Sequence, residues 1–257
     1  MPRIIKTEVI CLASERYRES SKVVTLFSRN SGKLMAVAKG ARRPKSRFGA
    51  ALERFAVSRV TFYWHENRTR YTLSDAELIR SFPALAELPQ RYLAAEQITE
   101  FLLRTGRPFD PAHYVLHEGT GQLFRLTTAY LEVLEASKSN FRQLVASYLL
   151  KAASFLGFRP ELERCVLCRR MLSGHQVSFD SERGGTVCQQ CRPAPKGRTL
   201  SEVERRALAQ LLRLPAARLG AASDIGALDA DFLPLALEYV SSHLDPLILN
   251  SFRWETL

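Results

Sequence analysis

Four of the chain's five cysteines fall in two close pairs, Cys165-Val166-Leu167-Cys168 and Cys188-Gln189-Gln190-Cys191, with 19 residues between them. Each C-x2-C knuckle turns two thiolates toward one point. Two knuckles complete a tetrahedral site for Zn2+ at about 2.3 Å per sulfur. Between them, Val177 to Val187 reads as a hairpin with Gly184-Gly185 near its end, the usual connection of a zinc ribbon. Four sulfurs saturate the metal and leave no position for water, so the expected ion is structural and not catalytic. An iron–sulfur cluster also takes four cysteines, but paired knuckles on a hairpin favour zinc. Two disulfides are the remaining alternative, one that a reducing cytoplasm disfavours. His175 lies between the pairs and, with four thiolates at hand, is expected on the surface. Cys11 stands alone in a strand-like segment and reads as a small buried hydrophobe.

The second group is basic. Lys39-Gly40-Ala41-Arg42-Arg43-Pro44-Lys45-Ser46-Arg47 holds five cations in nine residues, and Gly40 and Pro44 mark it as a loop. Such a loop reaches several phosphates at once and releases their condensed counterions. Its setting strengthens this reading. Residues 1–80 carry 17 Lys/Arg against 7 Asp/Glu, whereas residues 81–257 carry 20 against 19, so nearly all of the net charge of +11 lies in the first third. A field so concentrated steers polyanions, of which nucleic acid is the commonest in a cytoplasm. An anionic membrane is the competing partner, but it calls for a basic amphipathic helix that this region does not pattern. Lys39, Arg42, Arg43, Lys45 and Arg47 are therefore the expected phosphate contacts, with Arg16, Arg18 and Lys22 in second rank.

Signatures of an enzyme are missing. The chain has no phosphate-binding G-x-x-x-x-G-K-[ST], no G-x-G-x-x-G after a strand, no H-E-x-x-H and no G-x-S-x-G. His113 and His117 are four apart, but Pro111 and Gly119 argue against a long helix there. Glu161 and Glu163, beside the first knuckle, read as balancing nearby arginines. The expectation is a binding protein with no catalytic residues.

These groups must be positioned by two kinds of element. Residues 1–80 alternate in strand fashion. Thr7, Val9 and Cys11 share a face, Lys22–Phe27 and Lys33–Ala38 flank a turn at Arg29–Gly32, and Phe55–Trp64 is a long β-type run before Thr69–Leu73. About five strands in so short a span suit a small closed barrel, which removes sheet edges. Basic loops and interleaved aromatics fit an oligonucleotide-binding (OB) fold, although periodicity alone does not separate it from an SH3-like barrel. Of the aromatics, Phe48 beside the basic loop is either a base-stacking platform or a core residue.

From Ser81 the period becomes helical. Tyr92, Ala95, Ile98, Phe101 and Leu102 share a face, as do Leu123, Leu126, Tyr130, Leu131 and Leu134. Phe141 to Leu156 forms the cleanest apolar stripe, ended by Gly157 and Pro160. Ser201 and Glu204 match a capping box. Residues 214–230 read as a loose connection before a helix near Asp231–Leu244. Arg125, Arg142 and Lys151 either extend a nucleic-acid path or sit on solvated faces. With 46% hydrophobic residues over 257, a core can form; no apolar run reaches the roughly 18–20 residues of a membrane span. The N-terminus does not read as a secretory signal. The composition suggests a soluble, intracellular protein.

With the loop and knuckles in place, the chain resembles the RecO family of bacterial recombination and repair proteins. The matching stretches are Glu19–Phe27, Gly32–Phe48 running on to Leu52, Tyr71–Leu78, and the segment from Leu156-Gly157-Phe158-Arg159-Pro160 through the four cysteines. Many members have Gly where this chain has Arg169, and some lack the cysteines, which implies a metal that supports the fold. The resemblance implies an α+β, multidomain architecture. It comprises an OB-type five-stranded barrel (1–80), a helical domain (81–160), an inserted four-cysteine zinc ribbon (161–198) and a continuation of the helical domain (199–257). It implies binding of single- and double-stranded DNA, strand annealing, and help in loading recombinase onto strands coated by single-strand-binding protein. Implied partners are RecR and the acidic C-terminal tail of the coating protein, at a cytoplasmic, nucleoid-associated location. A zinc-ribbon transcription or RNA-binding factor and a metal-dependent nuclease are the competing readings.

Overall fold

The computed structural model describes residues 3–65, 70–106, 118–172, 176–191, 197–221 and 230–244. By internal contacts the chain divides into two compact units, Met1–Glu135 and Ala136–Leu257.

Five strands open the first unit: β1 (Arg3–Tyr17), β2 (Ser21–Ser28), β3 (Gly32–Ala38), β4 (Val57–Trp64) and β5 (Arg70–Arg80). They close into a barrel in the order β1-β2-β3-β5-β4, with β4 returning to β1. Every pairing is antiparallel except β3 with β5. This is the connectivity of the OB fold and selects it over the SH3-like alternative. Closure depends on β1. Its first half pairs with β4 and its second with β2, and a register shift between Cys11 and Ala13 bends it from one partner to the other.

Alternation sends Val9, Cys11, Val24, Leu26, Leu34, Ala36, Val60, Phe62 and Leu73 inward, where they are buried. The Cys11 thiol donates to the Leu52 carbonyl at 3.4 Å, and burial pushes its pKa up to about 12. It is the small buried residue that the sequence suggests. The β3–β4 connection divides in two. Residues 39–47 face solvent apart from the half-buried Gly40, Ala41 and Ser46, whereas Phe48, Ala51 and Leu52, around a single 3-10 turn at Gly49–Leu52, plug the barrel. Strand β4 begins two residues later than the β-type run suggests. Phe55 sits at φ 71°, outside strand geometry, and its ring meets Tyr92 edge-on at 5.3 Å.

Helices α1 (Pro89–Thr105) and α2 (Glu118–Ala136) complete this unit. Proline at the first turn of α1 costs nothing, because that N–H lacks an intrahelical acceptor. Ala95, Ile98, Phe101 and Leu102 are buried as their spacing predicts, while Tyr92 and Leu126 are only half-buried. His113 and His117 lie outside the described residues.

In the second unit, α3 (Phe141–Phe155) buries every residue from Leu144 to Leu150 against α4 (Glu202–Arg213) and α6 (Leu233–His243). Its sequence stripe is one-sided, but packing on two sides buries small residues such as Ala146 and Ser147 as well. Ser147 meets its burial cost by donating to the Leu211 carbonyl at 2.6 Å. Phe155, at the stripe's far end, is 39% exposed. The capping box at Ser201 is present, with Glu204 N to Ser201 Oγ at 3.2 Å and Ser201 N to Glu204 Oε2 at 2.9 Å. The expected loose connection is partly wrong: α5 (Ala216–Ala221) lies within it, and residues 222–229 are outside the described set. Helix α6 has Phe232 at its N-cap with no side-chain cap; the Asp231 carboxylate, one residue earlier, accepts the Leu233 N–H at 3.1 Å and satisfies one of the free donors of the first turn.

The cysteine region forms β6 (Val177–Asp180) and β7 (Gly185–Val187), the expected hairpin. A third strand, β8 (Arg198–Leu200), pairs with the other edge of β6. Gly184, at φ 84°, makes the left-handed turn; a Cβ on Gly185 would collide with the backbone of Glu161.

Candidate functional site

The two knuckles converge. The Sγ atoms of Cys165, Cys168, Cys188 and Cys191 all lie within 4.8 Å of one another. A tetrahedron with metal–sulfur bonds of about 2.3 Å has edges of about 3.8 Å, and Cys168 Sγ stands 3.8 Å from Cys188 Sγ. That separation rules out a disulfide between these two and fits a shared ion. Local backbone builds the first knuckle: Cys165 N donates to Arg170 O and Arg169 N to Cys165 O, each at 2.9 Å. The turn places Arg169 at φ 63°, a left-handed conformation that glycine adopts with less strain. Burial of the Cys165 thiol opposes ionisation. The N–H groups of Cys168, Cys188 and Leu167, with the Cys168 side chain, outweigh it and lower the pKa to about 6. Cys191 is pushed the other way, to about 12, by the hydrogen bonds it shares with Cys168 and Cys188. Cys165 readily becomes a thiolate while Cys191 resists adding more negative charge; a divalent cation removes that conflict. The residues therefore fit a closed, four-thiolate metal site.

His175 lies outside the described residues. Glu161 and Glu163 behave differently from each other. Glu163 pairs with Arg213, as expected of a charge-balancing carboxylate. Glu161 Oε1 instead accepts the backbone N–H groups of Glu163 and Arg164 at 2.9 and 3.1 Å and shapes the turn into the knuckle.

At the barrel, the basic residues gather at one end. The link is Arg42, whose backbone N donates to Ser20 O at 2.9 Å and whose Nη1 donates to Glu19 O at 2.8 Å and Arg18 O at 3.3 Å. These bonds fasten the β3–β4 loop to the β1–β2 hairpin, so Arg18 joins the loop cations. Arg16 and Lys22 are cross-strand partners at the base of the same hairpin. The eight predicted cations are thus brought together, but they are not equivalent. Lys39, Arg43, Lys45, Arg47, Arg16 and Arg18 are exposed and form no ion pair among the described residues. Lys22, 19% exposed, is neutralised by Glu53 at 2.7 Å. Arg42 has its guanidinium partly committed to backbone carbonyls. Elsewhere on the barrel, acidic residues neutralise some of the arginines: Arg29 pairs with Glu8 at 2.7 Å and Arg59 with Glu77 at 3.0 Å.

Phe48 is 2% exposed and belongs to the core, not to a stacking surface. Extracting it would forfeit about 2–3 kcal/mol of burial. Two residues absent from the predicted set do join the rim. Tyr17, half-buried at the end of β1, has the guanidinium carbons of Arg18 and Arg70 at 5.2 and 5.9 Å from its ring centroid. The run Arg16-Tyr17-Arg18 is the sequence signal for the first; only barrel closure brings in the second.

The helical candidates separate. Arg125 is exposed. Arg142 pairs with Asp231. Lys151 donates to Leu214 O at 2.5 Å, and burial lowers its pKa to about 8. It neither extends a polyanion path nor sits on a solvated face, because its ammonium is held within the helical packing. Among the described residues, no helix is long and apolar enough to cross a membrane.

Comparison with known proteins agrees with this geometry. Residues 1–82 match the model for the N-terminal part of recombination protein O, and residues 89–251 match its C-terminal part. The DNA repair protein RecO of Caldanaerobacter subterraneus is 32% identical over 246 residues, covering 95% of this chain and 94% of that one. The RecO of Chlorobium limicola is 32% identical over 258 residues, covering 94% and 93%. That of Rubrobacter xylanophilus is 33% identical over 191 residues, covering 74% and 72%. An OB-type barrel, a helical part with four converging cysteines, and similarity running nearly end to end together show that the chain belongs to the recombination protein O (RecO) family.

Proposed function

We propose that this chain is a DNA-binding mediator of recombinational repair. It binds single- and double-stranded DNA, anneals complementary strands and, with RecR, helps load recombinase onto strands coated by single-strand-binding protein. Family membership supports the repair role. The observation that carries the DNA contact is the cluster of cations Arg16, Arg18, Lys39, Arg43, Lys45 and Arg47 at one end of the barrel, exposed and without an ion pair among the described residues, whereas Arg29 and Arg59 elsewhere on it are paired. Two strands held against such a surface repel one another less, so annealing needs neither a covalent step nor nucleotide hydrolysis. No residue is assigned a catalytic role.

Cys165, Cys168, Cys188 and Cys191 hold one Zn2+, which cross-links the two knuckles and supplies folding energy to the ribbon. The division into a DNA-binding barrel (1–80), helical domain (81–160 and 199–257) and zinc ribbon (161–198) is part of this reading. So are contacts with RecR and the acidic tail of the coating protein, and a cytoplasmic, nucleoid-associated location.

The deciding experiment is strand annealing with labelled complementary oligonucleotides, with and without cognate coating protein. Acceleration that survives coating and fades with added salt is expected. Absence of acceleration refutes the mediator role. Stronger competition by RNA than by DNA in a filter assay favours an RNA-binding factor, and Mg2+-dependent cleavage of labelled DNA favours a nuclease.

A further inference from the structure

One row on the outside of the barrel is less polar than the rim. Register places Val23 beside Val37, Val37 beside Thr72, Thr72 beside Tyr63, and Tyr63 beside Ile4, one row running across β2, β3, β5, β4 and β1. Met35 and Arg70 are paired on the same face, two residues further along β3 and β5. Ile4 is 64% exposed, Tyr63 41% and Met35 38%. At the rim end of this face stands Tyr17, half-buried, with Arg18 and Arg70 against its ring. An apolar face beside unpaired cations suits a ligand with flat apolar groups on a charged backbone. Duplex DNA hides its flat groups; a single strand presents them.

The Tyr17 group has the makings of a stacking site. Planar guanidinium stacks on aromatic rings and on bases alike, and it also pairs with phosphate. Arg18 and Arg70 form no ion pair among the described residues, although Glu15 and Glu19 share the hairpin. Arg18 holds a left-handed backbone, φ 53°, where glycine or asparagine would be less strained.

We propose that Tyr17, flanked by Arg18 and Arg70, is a stacking subsite for one unpaired nucleobase and gives the cationic rim its preference for single strands over duplex. This rests on the DNA-binding reading above. An incoming base displaces one guanidinium from the ring, or extends the stack, and the freed arginine meets the adjacent phosphate.

The test compares the full chain with Tyr17→Ala and Tyr17→Phe by fluorescence anisotropy. The probes are a thymidine oligonucleotide, an abasic oligonucleotide of equal length, and a duplex. Stacking on an aromatic is worth enough that the Ala variant should lose about 10-fold in affinity for the thymidine strand. Its salt slope should be unchanged, its duplex affinity should stay within about 2-fold, and the loss should vanish on the abasic strand. The Phe variant should bind like the parent. A Tyr17→Ala variant that tracks the parent on the thymidine strand, or loses equally on strand and duplex, overturns the subsite. If the Ala variant does not fold, photo-cross-linking of the parent to a 5-iodouracil strand decides: adducts at Tyr17 support the subsite, and adducts only elsewhere overturn it. Failure of the parent chain to bind any DNA is a different result, and it refutes the DNA-binding reading itself.

Discussion

Three cations of the β3–β4 loop, Arg43, Lys45 and Arg47, are exposed and make no ion pair among the described residues. Each is free to neutralise one phosphate. For single strands the slope of log K against log salt is about −0.7 per phosphate neutralised, so changing all three to alanine should make the slope shallower by about 2. At about 0.15 M salt each lost contact weakens binding about 4-fold, and all three together about 50-fold, or roughly 2.3 kcal/mol. Two controls follow from the geometry. Lys22→Ala should leave the slope nearly untouched, because Glu53 at 2.7 Å already neutralises that ammonium. Arg42→Ala should loosen the loop from the β1–β2 hairpin, since its guanidinium serves the carbonyls of Arg18 and Glu19. Anisotropy titrations at four or five salt concentrations, with circular dichroism to check folding, give the slopes directly. An unchanged slope for the folded triple variant, or a Lys22→Ala effect as large as the triple's, would refute the assignment.

Elemental analysis should find about one zinc per chain. Chelation, or Cys168→Ser, should speed hydrogen exchange at Val177–Asp180 and Gly185–Val187 while leaving β1 to β5 protected; equal change in both units would contradict a local brace. Ser201→Ala removes one side of a reciprocal cap and should cost about 1 kcal/mol, read as a lower denaturation midpoint. Lys151 has a pKa near 8 folded against 10.5 unfolded, so the unfolded chain binds more protons between those values and stability should rise with pH across that window. With its ammonium hydrogen-bonded and partly hydrated, the rise should be of order 1–2 kcal/mol. Lys151→Met should flatten it, and parallel pH profiles for parent and variant would show the burial argument to be wrong.

The barrel was legible because strand alternation at Thr7, Val9 and Cys11 and turns such as Arg29–Gly32 are local signals, carried by residues close in the chain. The capping box at Ser201 and the hairpin at Gly184-Gly185 are local in the same sense. The start of β4 was misread because Phe55 has a strand former's side chain but a left-handed backbone, at φ 71°. Helix α5 was missed because Ala/Gly-rich sequence is weak evidence for any structure until neighbours pack on it. Phe48 was undecided for the same reason: an aromatic beside a basic loop is compatible with both the core and the surface.

Cysteine spacing alone determined the metal-type cluster, since two C-x2-C knuckles bring four sulfurs together through short-range backbone geometry. The location of the excess positive charge was equally a property of the sequence, because net charge needs only counting. Which cations remain free was decided by the tertiary structure. Lys22 lies against Glu53, Arg42 against the hairpin carbonyls and Lys151 against Leu214, each partner at least 20 residues away in the chain. The meeting of Tyr17 with Arg70 belongs to the same class. Electrostatic pairing and ring contacts act over a few ångströms of space, and barrel closure and helix packing determine which distant residues come that close.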